Sequence, residues 1–279
     1  MQKTVQFKDV SLYTESFGDM KNPTILLIMG SASSLIWWDE VFCQKLVDKG
    51  FFVIRYDHRD TGKSTHYPVG KPGYSLETLS DDAIEILNAY QIDKGIVMGM
   101  SMGGMLAQMV AVRHPNRVSG LVLLASIYGA EGADKLPMFS PEVKKFFDDY
   151  GNYQPVGFRD TVDFAFKQWQ ATHQSERHYN LDDIYPMIEL DVSRANDYNS
   201  KLNHSFAPMT GNDLTRIHEI SCPTLVIHGT VDNVVPYIHG EMLHKMIKNS
   251  ELLSLVGAGH EVHPDDYNVM VEHIYTLIQ

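Results

Sequence analysis

The stretch Ile96-Val97-Met98-Gly99-Met100-Ser101-Met102-Gly103-Gly104 constrains this chain more than any other part of it. A short apolar run of β character leads into G-x-S-x-G. After Ser101 the apolar residues Met102, Met105, Leu106, Met109 and Val110 fall at the i, i+3, i+4 spacing of one helix face. Pro115, just behind His114, stops that helix. Strand, tight turn and helix is the setting in which the pattern becomes a nucleophile elbow. A serine at the tip of so sharp a turn takes a strained backbone, and side chains two residues to either side would collide. Gly99 and Gly103 remove those side chains, and Gly104 lets the helix pack closely. Without that setting, the same letters describe only a glycine-rich turn with an incidental serine.

The surrounding sequence supplies the setting. Thr4–Val10 and Val10–Ser16 alternate polar and apolar residues, which predicts an antiparallel pair at a sheet edge. Thr24–Met29 and Phe51–Tyr56 are continuous apolar runs, as in strands covered on both faces. Helical patterns at Trp37–Leu46 and Leu76–Tyr90 separate them from the strand before Ser101, and a further strand follows at Val118–Ala125. The alternation predicts an α/β fold, a mostly parallel central sheet with helices on both faces. From 127 to 215 the rhythm breaks into helical, aromatic sequence that includes Phe146, Phe164, Trp169 and Tyr185. We read 1–126 and 216–279 as the two parts of one core, and 127–215 as a helical lid inserted between core strands. Helices that merely extend the core are the other reading. The strand rhythm resumes at Pro223–His228, followed by a helix over Pro236–Ile247, a strand at Glu251–Val256 and a last helix from Pro264.

In open sheets of this kind the active site lies at the carboxyl ends of the strands. A serine hydroxyl needs a general base within hydrogen-bond reach, and histidine suits the role. Of 13 histidines, His260 stands in Gly257-Ala258-Gly259-His260, a loop of small residues directly after the last predicted strand. His263, next to Pro264, reads as a surface or supporting residue at the start of the last helix. The base in turn needs a carboxylate to hold its tautomer. Asp232 follows the penultimate strand, although an aspartate there could also cap the next helix. The catalytic set expected is therefore Ser101, Asp232 and His260. Backbone donors for the oxyanion are expected from Met102, at the helix start, and from Ser31 in the small-residue loop Gly30–Ser34, with Ala32 as the alternative. Trp37 and Trp38 are expected to line the substrate pocket with part of the lid.

Charge narrows the partners. Lys plus Arg number 23 against 35 Asp plus Glu, a formal net charge of -12 that disfavours a nucleic-acid partner. Cys43 and Cys222 show no metal or C-x-x-C spacing, so no disulfide, metal or cofactor is expected. No signal-peptide pattern or membrane-length apolar run is present, and a cytoplasmic protein with no membrane partner is the expectation. A small-molecule ester is the partner expected.

The elbow, the Asp232 and His260 loops and the position of the insertion resemble the α/β-hydrolase superfamily, whose Ser, Asp, His chain order this sequence follows. More narrowly, Ile28-Met29-Gly30, Trp38-Asp39-Glu40 and Val53-Ile54-Arg55-Tyr56-Asp57-His58-Arg59-Asp60-Thr61-Gly62-Lys63-Ser64 resemble the aclacinomycin methylesterase branch. That resemblance implies hydrolysis of a carboxylic methyl ester. Ser31 replaces the glycine that the branch carries after its Met-Gly pair, and 127–215 shows no match, so the polyketide substrate of the branch does not carry over. Asp57-His58-Arg59-Asp60 reads as scaffolding for the loop after its strand. Three functions follow from these observations. The first is a serine ester hydrolase working through an acyl-enzyme on small to medium uncharged, apolar esters. The second is a hydrolase of another bond with the same triad (an aminopeptidase, a C–C hydrolase or a perhydrolase). The third is a non-catalytic small-molecule receptor.

Overall fold

Thr24-Ile25-Leu26-Leu27-Ile28 is buried at every position, as is Phe52-Val53-Ile54-Arg55-Tyr56. Such runs are stable only where strands flank both edges and helices cover both faces. The computed structural model describes residues 1–151 and 153–277, and these runs lie at the centre of one eight-stranded sheet. The chain runs β1 (Gln2–Phe7), β2 (Val10–Phe17), β3 (Thr24–Ile28), α1 (Glu40–Asp48), β4 (Phe52–Tyr56), α2 (Leu76–Ala89), β5 (Gly95–Met100), α3 (Met102–Arg113) and β6 (Val118–Leu124). It continues through α4 (Pro141–Tyr150), α5 (Gly157–Thr172), α6 (Leu181–Arg194) and α7 (Asn203–Phe206) to β7 (Thr224–Gly229), α8 (Ile238–Met246), β8 (Ser250–Leu255) and α9 (Tyr267–Thr276).

The strands lie in the order β1-β2-β4-β3-β5-β6-β7-β8. β1 and β2 are antiparallel, β2 meets β4 antiparallel, and every pairing from β4 to β8 is parallel. After β3 the chain goes to β4 on one side and then crosses to β5 on the other. The crevice above β3 and β5 is therefore the switch point at which parallel sheets of this type bind ligands.

Each face of the sheet has its own apolar layer. Leu79 and Leu87 of α2, Leu106 and Val110 of α3 and Leu243 of α8 cover one face. Phe42, Cys43 and Leu46 of α1 and Met270 and Ile274 of α9 cover the other. β8 is half exposed, because it is an edge strand.

Among the described residues, the segment between β6 and β7 contains helices and turns and no strand. Its helices α5 and α6 enclose a separate small core of Val162, Trp169, Ile184, Ile188 and Val192, against which Trp37 also packs. The stretch expected as one helix over Trp37–Leu46 is instead broken. A 3-10 turn spans Leu35–Trp37, and α1 begins only at Glu40 because the Asp39 carboxylate accepts the Val41 N–H as an N-cap. Among the described residues no helix is long and apolar enough to cross a membrane.

Candidate active site

Ser101 joins β5 to α3 at φ +53° and ψ −121°, a conformation that costs a non-glycine residue roughly 1–3 kcal/mol. Its surroundings hold it there. The Ser101 N–H donates to the Leu124 carbonyl at 2.9 Å, and the Ser126 hydroxyl donates to the Ser101 carbonyl at 3.2 Å. Ser126 is itself held by the Gln108 amide at 3.2 Å. A Cβ on Gly99 would lie 2.0 Å from the Gly103 carbonyl oxygen, and one on Gly103 would lie 2.2 Å from the Ile28 carbonyl oxygen. Both glycines are thus required by close backbone approach, and Ser101 is pressed against the loop after β3. A Cβ on Gly30 would lie 3.4 Å from the Ser101 Cβ.

Two strands away, the turn after β7 carries Asp232, fully buried at its carboxylate. Its Oδ1 accepts the amides of Val234 at 2.9 Å and Val235 at 2.8 Å. Its Oδ2 accepts from His260 Nδ1 at 2.8 Å. Burial by itself would raise this carboxyl; the electrostatic pull of the His260 imidazole beside it and the hydrogen bonds from His228 and His260 outweigh it and hold Asp232 well below the usual carboxylate range. Because Nδ1 carries the proton that Asp232 accepts, Nε2 of His260 is the nitrogen with the free lone pair.

The loops bearing Asp232 and His260 are zipped together. Thr230 N–H donates to the Leu255 carbonyl, Val231 N–H to the Ala258 carbonyl, and Gly257 N–H to the Thr230 hydroxyl. Gly229 allows the approach, since a Cβ there would meet the Ala258 oxygen at 2.3 Å.

Met102 is the first residue of α3, so its amide belongs to the set that a helix leaves without an internal partner. Ser31 is exposed on the loop after β3. Ala32, the alternative donor, has φ +60° and gives its amide to Nδ1 of His204 at 2.9 Å. Trp37 is partly exposed and donates its indole N–H to Asp191 at 3.1 Å. Trp38 requires a correction. It is wholly buried, stacks on Phe42 at 5.8 Å between ring centres, and lies in the layer beneath the sheet, where it cannot line a pocket. The break after Trp37 turns the second tryptophan inward. His263 is buried too, where it caps the turn before α9 by accepting the Asp265 amide at 3.2 Å. Among the described residues no group of three or more His, Cys, Asp or Glu is arranged to hold a metal ion.

The charged run after β4 works as a buried scaffold under the loop after β3. His58 Nε2 bonds to the Met29 carbonyl at 2.9 Å, and the Asp57 carboxylate accepts the Leu35 amide at 2.8 Å. Arg59 pairs with Asp82 at 2.7 Å. Burial brings His58 down to about 3, so it is neutral. Several partners of this scaffold come from the segment between β6 and β7 and were missed in the sequence. Arg194 donates to Asp57 at 3.0 Å, Asn203 to Asp60 at 3.0 Å, and His204 bridges Ala32 to the Arg59 carbonyl. Asp191 accepts from Trp37 and from the Ser34 hydroxyl. Nothing in the local pattern around these residues marks them, because their partners lie more than a hundred residues away.

Residues 23–267 match the family described as "alpha/beta hydrolase fold". The rhodomycin D methylesterase DauP of Streptomyces sp. (strain C5) is 27% identical over 272 residues, covering 90% of this chain and 89% of that protein. The putative carbamate hydrolase RutD of Agrobacterium fabrum is 26% identical over 261 residues, covering 90% and 92%. Among solved structures, the esterase EaEST from Exiguobacterium antarcticum superposes with a TM-score of 0.78 at 20% identity, covering 100% of this chain and 99% of the other.

Proposed function

This chain belongs to the α/β-hydrolase family, and from that premise we propose that it is a serine ester hydrolase acting through an acyl-enzyme. The observation that carries the reading is the 2.8 Å bond from His260 Nδ1 to the buried, ionised Asp232, on loops that follow the strands two and three places along from the Ser101 elbow. Asp232 holds the imidazole in the tautomer whose Nε2 is basic. His260 Nε2 takes the Ser101 hydroxyl proton as Oγ attacks the ester carbonyl carbon. The oxyanion is met by the amides of Met102 and Ser31. The tetrahedral intermediate then expels the alcohol, which receives its proton from the imidazolium, and leaves the acyl group on Oγ. Water repeats the sequence with the same proton movements and releases the carboxylic acid.

The helical segment 127–215 serves as a lid over this site, and uncharged, apolar esters are the substrate class we assign. Methyl esters come first among them, since DauP is by name a methylesterase. The similarity to a putative carbamate hydrolase keeps a second bond type in view. Labelling with a fluorophosphonate probe tests the nucleophile, and a matched panel of methyl ester, carbamate and amide substrates tests the bond. Labelling at Ser101 with ester turnover well above the other two is the expected result. No labelling would point to a receptor on this fold, and faster carbamate or amide cleavage to the second reading.

A further inference from the structure

His173, the residue that ends α5, joins the two sides of the crevice. Its ring stacks on Trp169 at 4.8 Å and 19°, and on Trp37, next to the loop after β3, at 6.3 Å and 30°. The residues around it grip the opposite side. Asn233, next to Asp232, donates to the Ala171 carbonyl at 3.1 Å. Glu176 N–H donates to the Gly257 carbonyl at 2.8 Å, and a Cβ on Gly259 would lie 2.7 Å from the Gln174 carbonyl oxygen. His173 is therefore held in an aromatic slot between the loop that bears Ser31 and the loop that bears His260.

The tautomer follows from the partners. Nδ1 lies 3.0 Å from the Trp169 carbonyl, which can only accept, and 3.0 Å from the Thr172 hydroxyl, which has its own acceptor in the Gln168 carbonyl at 3.1 Å. Nδ1 must therefore carry the proton, and Nε2 is left as an acceptor. Loss of water around the ring among its aromatic neighbours, with the His260 imidazole nearby, brings this imidazole down to about 3, so the ring is neutral. Nε2 has no partner among the described residues. It is also not shut in: the residue is only partly buried, in contrast to the sealed and unpartnered Nδ1 atoms of His58 and His228.

We propose that His173 is a specificity-determining residue whose Nε2 accepts a hydrogen bond from a hydroxyl group on an uncharged ester, bound beside the ring that Trp37 and Trp169 hold in place. The proposal rests on the reading of Ser101, Asp232 and His260 as an ester-hydrolysing set, and it specifies the substrate of that set. An aromatic surface with one fixed acceptor at its edge favours a substrate that is aromatic or aliphatic overall and carries a donor at one position.

The test compares methyl hydrocinnamate with its ortho-, meta- and para-hydroxy forms on the native protein, His173→Phe and His173→Gln, all three also labelled with the fluorophosphonate probe. Phenylalanine keeps the stacking and loses the acceptor, while the glutamine amide oxygen restores one. The native protein should favour at least one hydroxylated ester about tenfold in kcat/KM, the scale of one net hydrogen bond. The preference should vanish in His173→Phe and return in part in His173→Gln. Equal rates for all the esters on the native protein, or a preference that survives in His173→Phe, would overturn the proposal. If His173→Phe fails to fold, the native series and His173→Gln decide. A native protein that neither labels nor hydrolyses any ester would overturn the hydrolase reading itself.

Discussion

The Ala32 amide donates to Nδ1 of His204 at 2.9 Å, a bond between residues 172 positions apart. His204 passes the connection on, donating from Nε2 to the Arg59 carbonyl at 2.8 Å. The ring thus ties the loop after β3 to the loop after β4 and pins the backbone beside Ser31. It also engages the Ala32 amide, which leaves Ser31 as our choice for the second oxyanion donor. A loop of Gly, Ser and Ala would otherwise be free to move, and preorganised donors are worth more than mobile ones.

Removing the hydroxyl should stop the chemistry and spare the fold. In Ser101→Ala we expect kcat for ester hydrolysis to fall by on the order of a millionfold, together with loss of fluorophosphonate labelling. The thermal midpoint should stay close to native, because no hydrogen bond within the described residues uses Ser101 Oγ. Hydrolysis that continued near the native rate would mean another nucleophile.

Asp232→Asn should lower kcat by roughly 10⁴-fold, since the imidazole is no longer held in the productive tautomer. Asp232 is ionised well below neutrality, so the replacement removes a charge beside the imidazole as well as its acceptor. Rate–pH profiles of His260→Ala and His263→Ala separate the two histidines. Silence in the second with activity in the first would reverse the assignment.

Acid should loosen the loop after β3 through His204. Burial brings its imidazole down to about 4, below an ordinary unfolded value of about 6.5. A folded value that is depressed contributes stability in full above about pH 6.5, and that contribution is lost as pH falls toward 4. We expect the thermal midpoint to drop across that window and to drop less steeply in His204→Phe. That variant should also be destabilised at neutral pH by about 1–3 kcal/mol, because the Ala32 amide loses its partner. Equal slopes for native and variant would remove His204 from this role.

The two tryptophans should behave oppositely. Trp38→Ala empties a wholly buried site and should cost about 3–5 kcal/mol in denaturant unfolding while leaving substrate preference alone. Trp37→Ala should alter kcat/KM across an ester series with a smaller stability loss.

If the pocket is apolar, kcat/KM should climb through the first few acyl carbons of p-nitrophenyl esters, since each buried methylene contributes about 0.8 kcal/mol. A flat series, or a clear preference for anionic esters, would exclude an apolar acyl pocket and leave the assignment of Ser101 untouched.

Local pattern determined a good deal of this protein. The runs at Thr24 and Phe51 announce buried strands because burial on both faces leaves no polar alternation. The glycines at 99 and 103 announce a tight turn because backbone approaches within 2.0–2.2 Å of where a Cβ would stand. Asp232 and His260 are legible because parallel connections bring the loop after every core strand to one end of the sheet. What the sequence could not decide is which residues of the segment between β6 and β7 meet the loops of the sheet. Trp37 and Trp38 are adjacent and identical in type, yet Asp39 caps α1 and the break sends one side chain toward the crevice and the other into the core. His204, Arg194 and Asp191 carry no local signal, since a buried hydrogen bond is defined by its partner and theirs are distant in the chain. His173 bonds to its own helix end, and only the closed structure brings its ring against Trp37. Periodicity reads the face an element turns to the core; only the closed tertiary structure determines which polar groups that burial obliges to pair.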